Sequence, residues 1–193
     1  MEQLNKIFTK HIDEGRFPGI QWQINIKNEI YSGKVGCNNI ETKEPVLDNT
    51  IYRIWSMTKP VVAVAALQLL EQNKIQLDDL ITKYLPEFSN LKVLKNIDSF
   101  IDDVEDVRIH PTIKDLFLHT AGFSYNFLAD PVGRKYDNIK LFHSDTTSLE
   151  EEIKKLAEVP LLYQPKNKWV YSVSMDVLGR ILEVVLKDTI QNI

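Results

Sequence analysis

The hydrophobic and polar positions at the start of the chain predict one helix followed by a β-hairpin. Apolar residues recur at helical spacing over 2–14, which predicts an amphipathic helix that ends near Gly15. From 20 to 26 apolar and polar residues alternate, which is the period of a half-buried strand. Residues 27–29 suit a turn and 30–35 a second strand, so the two strands are expected to pair.

A second pattern, apolar on almost every side, runs from residue 58 to 72. It predicts a helix that is buried over most of its surface. Pro60 falls in the first turn of this helix, where its missing N–H costs few backbone hydrogen bonds. Asn73 is a suitable residue to end the helix.

The rest of the chain predicts short helices separated by polar segments. A short helix is expected around 79–84, whereas 89–110 and 123–147 are expected to be irregular. Three further helices are marked by a capping residue: Thr112 before a helix to His119, Ser148 before Leu149–Ala157, and Ser174 before a helix from Met175 to about Leu186.

Composition and charge narrow the classes of function. A length of 193 residues suits one domain, and the net charge of −4, with 23 scattered Lys and Arg residues, argues against a nucleic-acid partner. The single cysteine, Cys37, permits no internal disulfide. The longest apolar run, 61–67, is far short of the roughly 20 residues that span a bilayer, so no membrane partner is expected. Without a signal-peptide pattern, the expected location is the cytoplasm.

The first candidate for chemistry is an S-x-x-K motif formed by Ser56 and Lys59. Residues three apart lie on one face of a helix, so the lysine can reach the serine hydroxyl. A hydroxyl is a poor nucleophile until a base takes its proton, and lysine becomes such a base when burial lowers its pKa. The free N–H groups at a helix start, that of Ser56 included, can hold an oxyanion. The alternative is a helix cap followed by a surface lysine.

Tyr171 is the second candidate. A tyrosine hydroxyl beside a lysine ammonium has a lowered pKa and can act as a general base. The alternative is an aromatic residue at the half-buried end of a strand, since Trp169 lies two positions before it.

The remaining candidates favour structural roles. Cys37 is most simply a small apolar residue, and the acidic positions between Asp98 and Asp106 are most simply a solvated loop without a recognised calcium-ligand order. The histidines show no paired ligand spacing for zinc, and His119 is interpreted as a structural hydrogen-bonding residue. The four histidines are His11, His110, His119 and His143.

Four ordered blocks resemble the class C β-lactamase superfamily of serine hydrolases, which includes the penicillin-binding proteins. The likeness is greater to its esterase and transesterase branch than to true β-lactamases, and it runs from about Pro18 to Val185. The blocks are SMTKP (56–60), DLITKYLPEF (79–88), IKDLFLHTAG (113–122) and WVYSVSMDVLG (169–179).

This resemblance implies an α+β fold of the β-lactamase/transpeptidase type, with an antiparallel sheet lobe and a helical lobe. The chain is then one β-lactamase-related domain, 1–193, of which the N-terminal part of the family fold is present. Its expected parts are the start of the α/β lobe (1–55), the central catalytic helix (56–73), a mainly helical lobe (74–170) and a return towards the sheet (171–193).

The resemblance also implies roles for the candidate residues. Ser56 is the expected acyl acceptor, with Lys59 and Tyr171 as the proton-transfer pair, and no metal or organic cofactor is implied. Family substrates are small carboxylic esters, amides of D-amino acid peptides, and β-lactams. Val173 stands where the family's lactamases have Asn, which disfavours β-lactam hydrolysis.

Two alternatives to a serine hydrolase remain at this point. The family continues beyond residue 193 with further sheet strands, a third motif and a second oxyanion N–H. The chain is therefore expected to be truncated at its C-terminus, and it could be an inactive remnant or one half of a split enzyme whose partner chain supplies the strands. A non-catalytic binding module on the same fold is the other alternative.

Overall fold

A computed structural model describes residues 2–143 and 146–193. These residues divide into two compact units, the first ending at Ile54 and the second beginning at Trp55. In the first unit, helix α1 (Glu2–Asp13) precedes strands β1 (Gly19–Ile26) and β2 (Glu29–Gly36). The strands pair antiparallel. Gly19 lies opposite Gly36 at the open end of the hairpin, and Ile26 lies opposite Glu29 next to the turn.

The hairpin forms through a tight two-residue turn. Lys27 and Asn28 both have positive φ, 50° and 70°. This is the conformation of the hairpin turn whose twist matches the twist of paired strands. Helix α1 packs against β2, and the Trp22 ring nitrogen donates a 3.0 Å hydrogen bond to the Asn5 side chain. The helix and hairpin predicted from the sequence are therefore present.

The second unit contains five helices and a small hairpin among the described residues. Helix α2 spans Thr58–Glu71, and strands β3 (Lys92–Leu94) and β4 (Val104–Asp106) pair antiparallel. The other helices are α3 (Ile113–Phe117), α4 (Pro131–Asn138), α5 (Leu149–Ala157) and α6 (Ser174–Leu186). Short 3₁₀ helices occur at Trp55–Met57, Ile81–Lys83 and Pro86–Asn90.

Helix α6 is the centre of the packing in this unit, because it contacts α2, α3 and α5. Apolar residues from all the helices and from β3 form one core around it. Its fully buried members include Ala66, Ile81, Phe88, Val93, Ile113, Leu116, Tyr136, Ile153, Leu156, Leu161, Val177, Leu178 and Ile181.

Two of the predicted helix caps are confirmed, and each is a reciprocal capping box. The Thr112 side chain accepts from the backbone N–H of Asp115, whose carboxylate accepts from the Thr112 N–H. Ser148 and Glu151 form the same arrangement at α5. The predicted cap at Ser174 is wrong, because α6 begins at this residue without a side-chain capping hydrogen bond.

Other predictions for this unit are corrected. The 89–110 segment contains the β3–β4 hairpin, and 123–147 contains α4, so neither is wholly irregular. The expected helix around 79–84 is limited to the 3₁₀ helix Ile81–Lys83.

The expectation that α2 is buried on most sides is also wrong. Val62, Ala66 and Leu69 are buried, whereas Val61 and Val64 are 62% and 55% exposed. The apolar pattern therefore marks the helix correctly but does not describe its surroundings in this chain.

Candidate active site

Ser56 lies in a tight turn at the start of α2. The residue before it, Trp55, has a φ of +48°, a left-handed conformation that is uncommon for a bulky side chain. The 3₁₀ helix Trp55–Met57 then leads directly into α2. Because Lys59 follows Ser56 by three residues on this helical stretch, both side chains lie on the same side of it. The turn leaves Ser56 exposed, while Lys59 is half-buried.

The Tyr171 side chain is fixed through contacts of its neighbours with His119. Val170 donates its backbone N–H to the His119 carbonyl at 2.9 Å, and the Ser172 N–H donates to His119 Nδ1 at 3.3 Å. The His119 and Tyr171 rings pack with centroids 5.1 Å apart. Burial and a nearby ammonium group lower the pKa of His119, so its ring is neutral and Nδ1 can accept. These contacts agree with the structural role predicted for His119.

The three residues predicted for the site come together in the second unit. The Tyr171 hydroxyl donates a 2.8 Å hydrogen bond to Ser56 Oγ across 115 residues of sequence. Lys59 Nζ lies 5.0 Å from the centre of the Tyr171 ring and donates a long, 3.5 Å hydrogen bond to the Tyr125 hydroxyl. The Tyr125 and Tyr171 rings stack almost parallel, with centroids 5.6 Å apart. The lysine therefore lies beside two stacked tyrosines, and one of them contacts the serine.

Electrostatics distinguish the two groups that could take the proton of Ser56. Burial raises the pKa of Tyr171, but the hydrogen bond with Ser56 and the Lys59 ammonium outweigh it and leave this pKa below its ordinary value. Burial lowers the pKa of Lys59. The hydrogen bond with the Tyr171 hydroxyl and the electrostatic attraction of nearby acidic groups outweigh burial and raise the Lys59 pKa above its ordinary value. The lowered pKa expected for tyrosine is present, whereas the lowered pKa expected for lysine is not.

Two adjoining cavities of about 300 Å³ each open beside Ser56. The first has a largely aromatic and aliphatic wall with a few polar groups, and the second lies towards Lys59 and Val62. Residues shared by both are Trp55, Ser56, Tyr125, Phe142 and Asp176. A more open cleft of about 700 Å³, between the 97–101 loop and α4, is lined by none of the three predicted site residues.

Tyr125 and Asp176 are the site residues that sequence reasoning missed. Tyr125 lies three positions after Gly122, just beyond one of the four sequence blocks, and Asp176 lies inside the last block. A signal for Asp176 was present, because it is the one acidic residue of the last block and stands between Met175 and Val177. Tyr125 gave no signal, because its segment was expected to be an irregular loop.

The other candidates lie away from this arrangement or are satisfied locally. His143 contacts the Asn126 side chain, Cys37 is a free thiol in the first unit, and Asp103 pairs with Lys95 at the surface. Within residues 2–143 and 146–193, no three His, Cys, Asp or Glu side chains are grouped as metal ligands. No helix in the described part of the chain is both long and apolar enough to cross a membrane.

Comparisons with known proteins match almost the whole chain. A family model described as Beta-lactamase matches residues 4–193. Esterase EstB of Burkholderia gladioli is 32% identical over 187 residues, which cover 94% of this chain and 44% of the esterase. A lovastatin esterase of Penicillium rubens is 31% identical over 155 residues, which cover 78% of this chain and 37% of that protein.

A solved structure gives the same result at the level of the fold. EstCE1, described as a hydrolase with promiscuous acyltransferase activity, superimposes with a TM-score of 0.77 and 29% sequence identity. The match covers 95% of this chain and 46% of EstCE1. The chain thus spans less than half the length of each of these proteins.

Proposed function

Because the chain belongs to the beta-lactamase family, we propose that it is a serine hydrolase acting on small carboxylic esters or amides through an acyl-enzyme. Family membership and the match to EstCE1 confirm the predicted superfamily and its α+β, β-lactamase/transpeptidase-like fold. The esterase names of two relatives support esters as the first substrates to test.

One observation carries the proposal, the 2.8 Å contact between the Tyr171 hydroxyl and Ser56 Oγ beside the Lys59 ammonium. In the proposed reaction, Ser56 Oγ bonds to the substrate carbonyl carbon while its proton passes to an ionised Tyr171. The backbone N–H of Ser56 is the proposed donor to the resulting oxyanion. Collapse of the intermediate breaks the bond to the leaving group, which takes the proton from Tyr171, and water then hydrolyses the serine ester.

The proposed roles are therefore Ser56 as nucleophile, Tyr171 as proton acceptor and donor, and Lys59 as the cation that lowers the pKa of Tyr171. The aromatic cavity beside Ser56 is the proposed acyl pocket. At about 300 Å³ it lies at the lower end of the range for small-molecule sites. Val173 lines this cavity. Because the family's lactamases have Asn at this position, we propose esters rather than β-lactams as the substrates.

Several predictions from the sequence stay predictions. These are the division into 1–55, 56–73, 74–170 and 171–193, the cytoplasmic location, and the absence of a nucleic-acid partner. A remnant or split enzyme is not favoured, because the esterase relatives and the Ser56–Tyr171 contact within this chain support a hydrolase.

The test is intact-mass spectrometry after incubation with a fluorophosphonate or an activated aryl ester, with the wild type compared with Ser56→Ala. We expect one adduct on the wild type and none on the variant. An adduct on both proteins would exclude Ser56 as the nucleophile. No adduct on a folded wild type would refute the proposal that this chain by itself carries an activated serine.

A further inference from the structure

Asp176 is a charged side chain of the site to which the proposed reaction assigns no step. It lies in the first turn of α6, and its side chain lines both cavities beside Ser56. In one cavity Asp176 lines the wall together with Lys59, and in the other it lines a mostly aromatic wall. It is therefore shared between the lysine and the proposed acyl pocket.

Asp176 is surrounded by titratable groups from several parts of the unit. Lys59 on α2 lines one cavity with it, Tyr136 on α4 and His143 line the other, and Tyr125 lines both. Tyr171 is also close enough for the charge of Asp176 to raise its pKa. In the described part of the chain no side chain donates a hydrogen bond to the Asp176 carboxylate, and its own backbone N–H is its donor. Lys59 is the cation whose charge acts on it.

The charge of Asp176 depends on pH in the neutral range. Burial raises its pKa to about 6, and the Lys59 ammonium opposes part of this rise. Above that pH the side chain is an anion, and the ammonium is the counter-charge that acts on it.

Lys59 needs such a counter-charge. It is half-buried and forms no ion pair within the described residues. Its side-chain hydrogen bonds are to tyrosine hydroxyls, to Tyr125 at a long 3.5 Å and to Tyr171, and neither tyrosine is a carboxylate counter-charge. A half-buried ammonium without an anion is costly and tends to extend into water. If it did so, Tyr171 would lose the cation beside its ring.

We propose that Asp176 is a positioning residue whose carboxylate keeps the Lys59 ammonium folded against Tyr171. This inference rests on the proposed function, since it explains how Tyr171 is prepared to take the Ser56 proton. Asp176 touches neither Ser56 Oγ nor the transferred proton in this scheme, and it acts through the position of the lysine.

The proposal predicts a change in the pKa of Tyr171 that is opposite in sign to the change expected if Lys59 did not move. If Lys59 stayed in place, removal of the Asp176 anion would lower the pKa of Tyr171, because the anion raises it. If Asp176 holds Lys59, its removal lets the nearer cation leave, and the pKa of Tyr171 rises. The direction of this change therefore separates a positioning residue from a spectator charge.

The experiment compares Asp176→Asn with the wild type by NMR titration of ¹³C-labelled tyrosine, with Tyr171→Phe used to assign the signal. We expect the pKa of Tyr171 to rise by about one pH unit and the rate of fluorophosphonate labelling at pH 8 to fall about tenfold. Asp176→Glu, which keeps the charge, should restore both. Asp188→Asn, which removes an exposed carboxylate, should change neither.

The labelling rate of the wild type should also fall as Asp176 becomes protonated below about pH 6, and Asp176→Asn should lack this step. A lower pKa of Tyr171 in Asp176→Asn, or labelling at the wild-type rate, would overturn the proposal. If the folded wild type is not labelled at all, the proposed function fails, whereas the NMR titration still decides whether Asp176 holds Lys59.

Discussion

Removal of the two stacked tyrosine hydroxyls, one at a time, separates proton transfer from the anchoring of Lys59. Tyr171 and Tyr125 are both close to Lys59 Nζ, at 5.0 and 5.2 Å from the ring centres. Of these two hydroxyls, it is that of Tyr171 that contacts Ser56 Oγ. Tyr171→Phe and Tyr125→Phe are therefore matched variants that differ in one functional contact, and both keep the aromatic stack.

The geometry sets the expected magnitudes. A positioned general base contributes roughly 10²–10⁴-fold to rate, so Tyr171→Phe should slow labelling of Ser56 by about that factor, or ~3–5 kcal/mol. Tyr125→Phe removes one hydrogen bond to the ammonium, and at 3.5 Å this bond is long. We expect it to slow labelling by less than about tenfold, below the ~1.5 kcal/mol of a weak charged hydrogen bond.

The assay is the second-order rate constant for adduct formation with an aryl fluorophosphonate at pH 8, followed by intact mass. Thermal unfolding by circular dichroism is the control, and both variants should unfold within a few degrees of the wild type. Equal rates for the two variants would refute the assignment of proton transfer to Tyr171. Labelling of Tyr171→Phe at the wild-type rate would show that Ser56 reacts without a tyrosine base.

Three further predictions concern the scaffold of the second unit. Gly122→Ala should lower its free energy of unfolding by more than about 2 kcal/mol, because φ is +92° and a Cβ would lie 2.2 Å from the Tyr163 carbonyl oxygen. Gly179→Ala is the control, since its Cβ would meet no atom nearer than 3.6 Å, and equal urea midpoints for the two variants would contradict this prediction. Trp55→Gly should be more stable than Trp55→Ala by about 1 kcal/mol, since glycine accepts a φ of +48°, and equal melting temperatures would argue against that conformation. Burial raises the pKa of Glu152, but hydrogen bonds from an ammonium, a backbone N–H and a hydroxyl hold this pKa below its usual value. The stability that ionised Glu152 contributes is therefore complete above its unfolded pKa and is lost as pH falls through its lower folded pKa. Glu152→Gln should cost about 2 kcal/mol of unfolding free energy at pH 7 and less at pH 3. A difference in urea denaturation that does not change with pH would contradict this prediction.

Local signals explain which parts of the fold could be predicted from the sequence. The capping boxes at Thr112 and Ser148 involve residues three apart, so the sequence contains the whole interaction. Strand β3 has three residues, and the backbone N–H of Leu94 next bonds to the carbonyl of Leu161, 67 positions away. No local pattern can indicate such a partner, and this is why the segment was expected to be irregular.

Helix α4 shows a different limit, because its signals were present but weak. Asp130 caps it and Pro131 occupies its first turn, which is a typical helix start. The helix has eight residues, and glycine and asparagine among them lower its intrinsic propensity. Its stability comes from tertiary burial of Val132 and Tyr136 in the core, and this burial cannot be seen before the fold is known.

The site was predictable only as far as its motifs. Ser56 and Lys59 lie three residues apart on one continuous helical stretch, so their proximity follows from the spacing. The contact of Ser56 with Tyr171 required the family resemblance, and the involvement of Tyr125 and Asp176 required the three-dimensional arrangement. Their effect depends on the position of Lys59 Nζ, which no sequence pattern determines.

The arrangement favours tyrosine over lysine as the group that takes the serine proton. A base must lie within hydrogen-bond reach of that proton, and the Tyr171 hydroxyl meets this condition at 2.8 Å, whereas Lys59 Nζ bonds to Tyr125 instead. The base must also be able to lose its own proton. The pKa of Tyr171 is lowered and that of Lys59 is raised, so near neutral pH the lysine stays a cation. In the proposed reaction this fixed charge stabilises an ionised tyrosine. We therefore propose that the S-x-x-K spacing supplies a cation beside the base and that Tyr171 is the base.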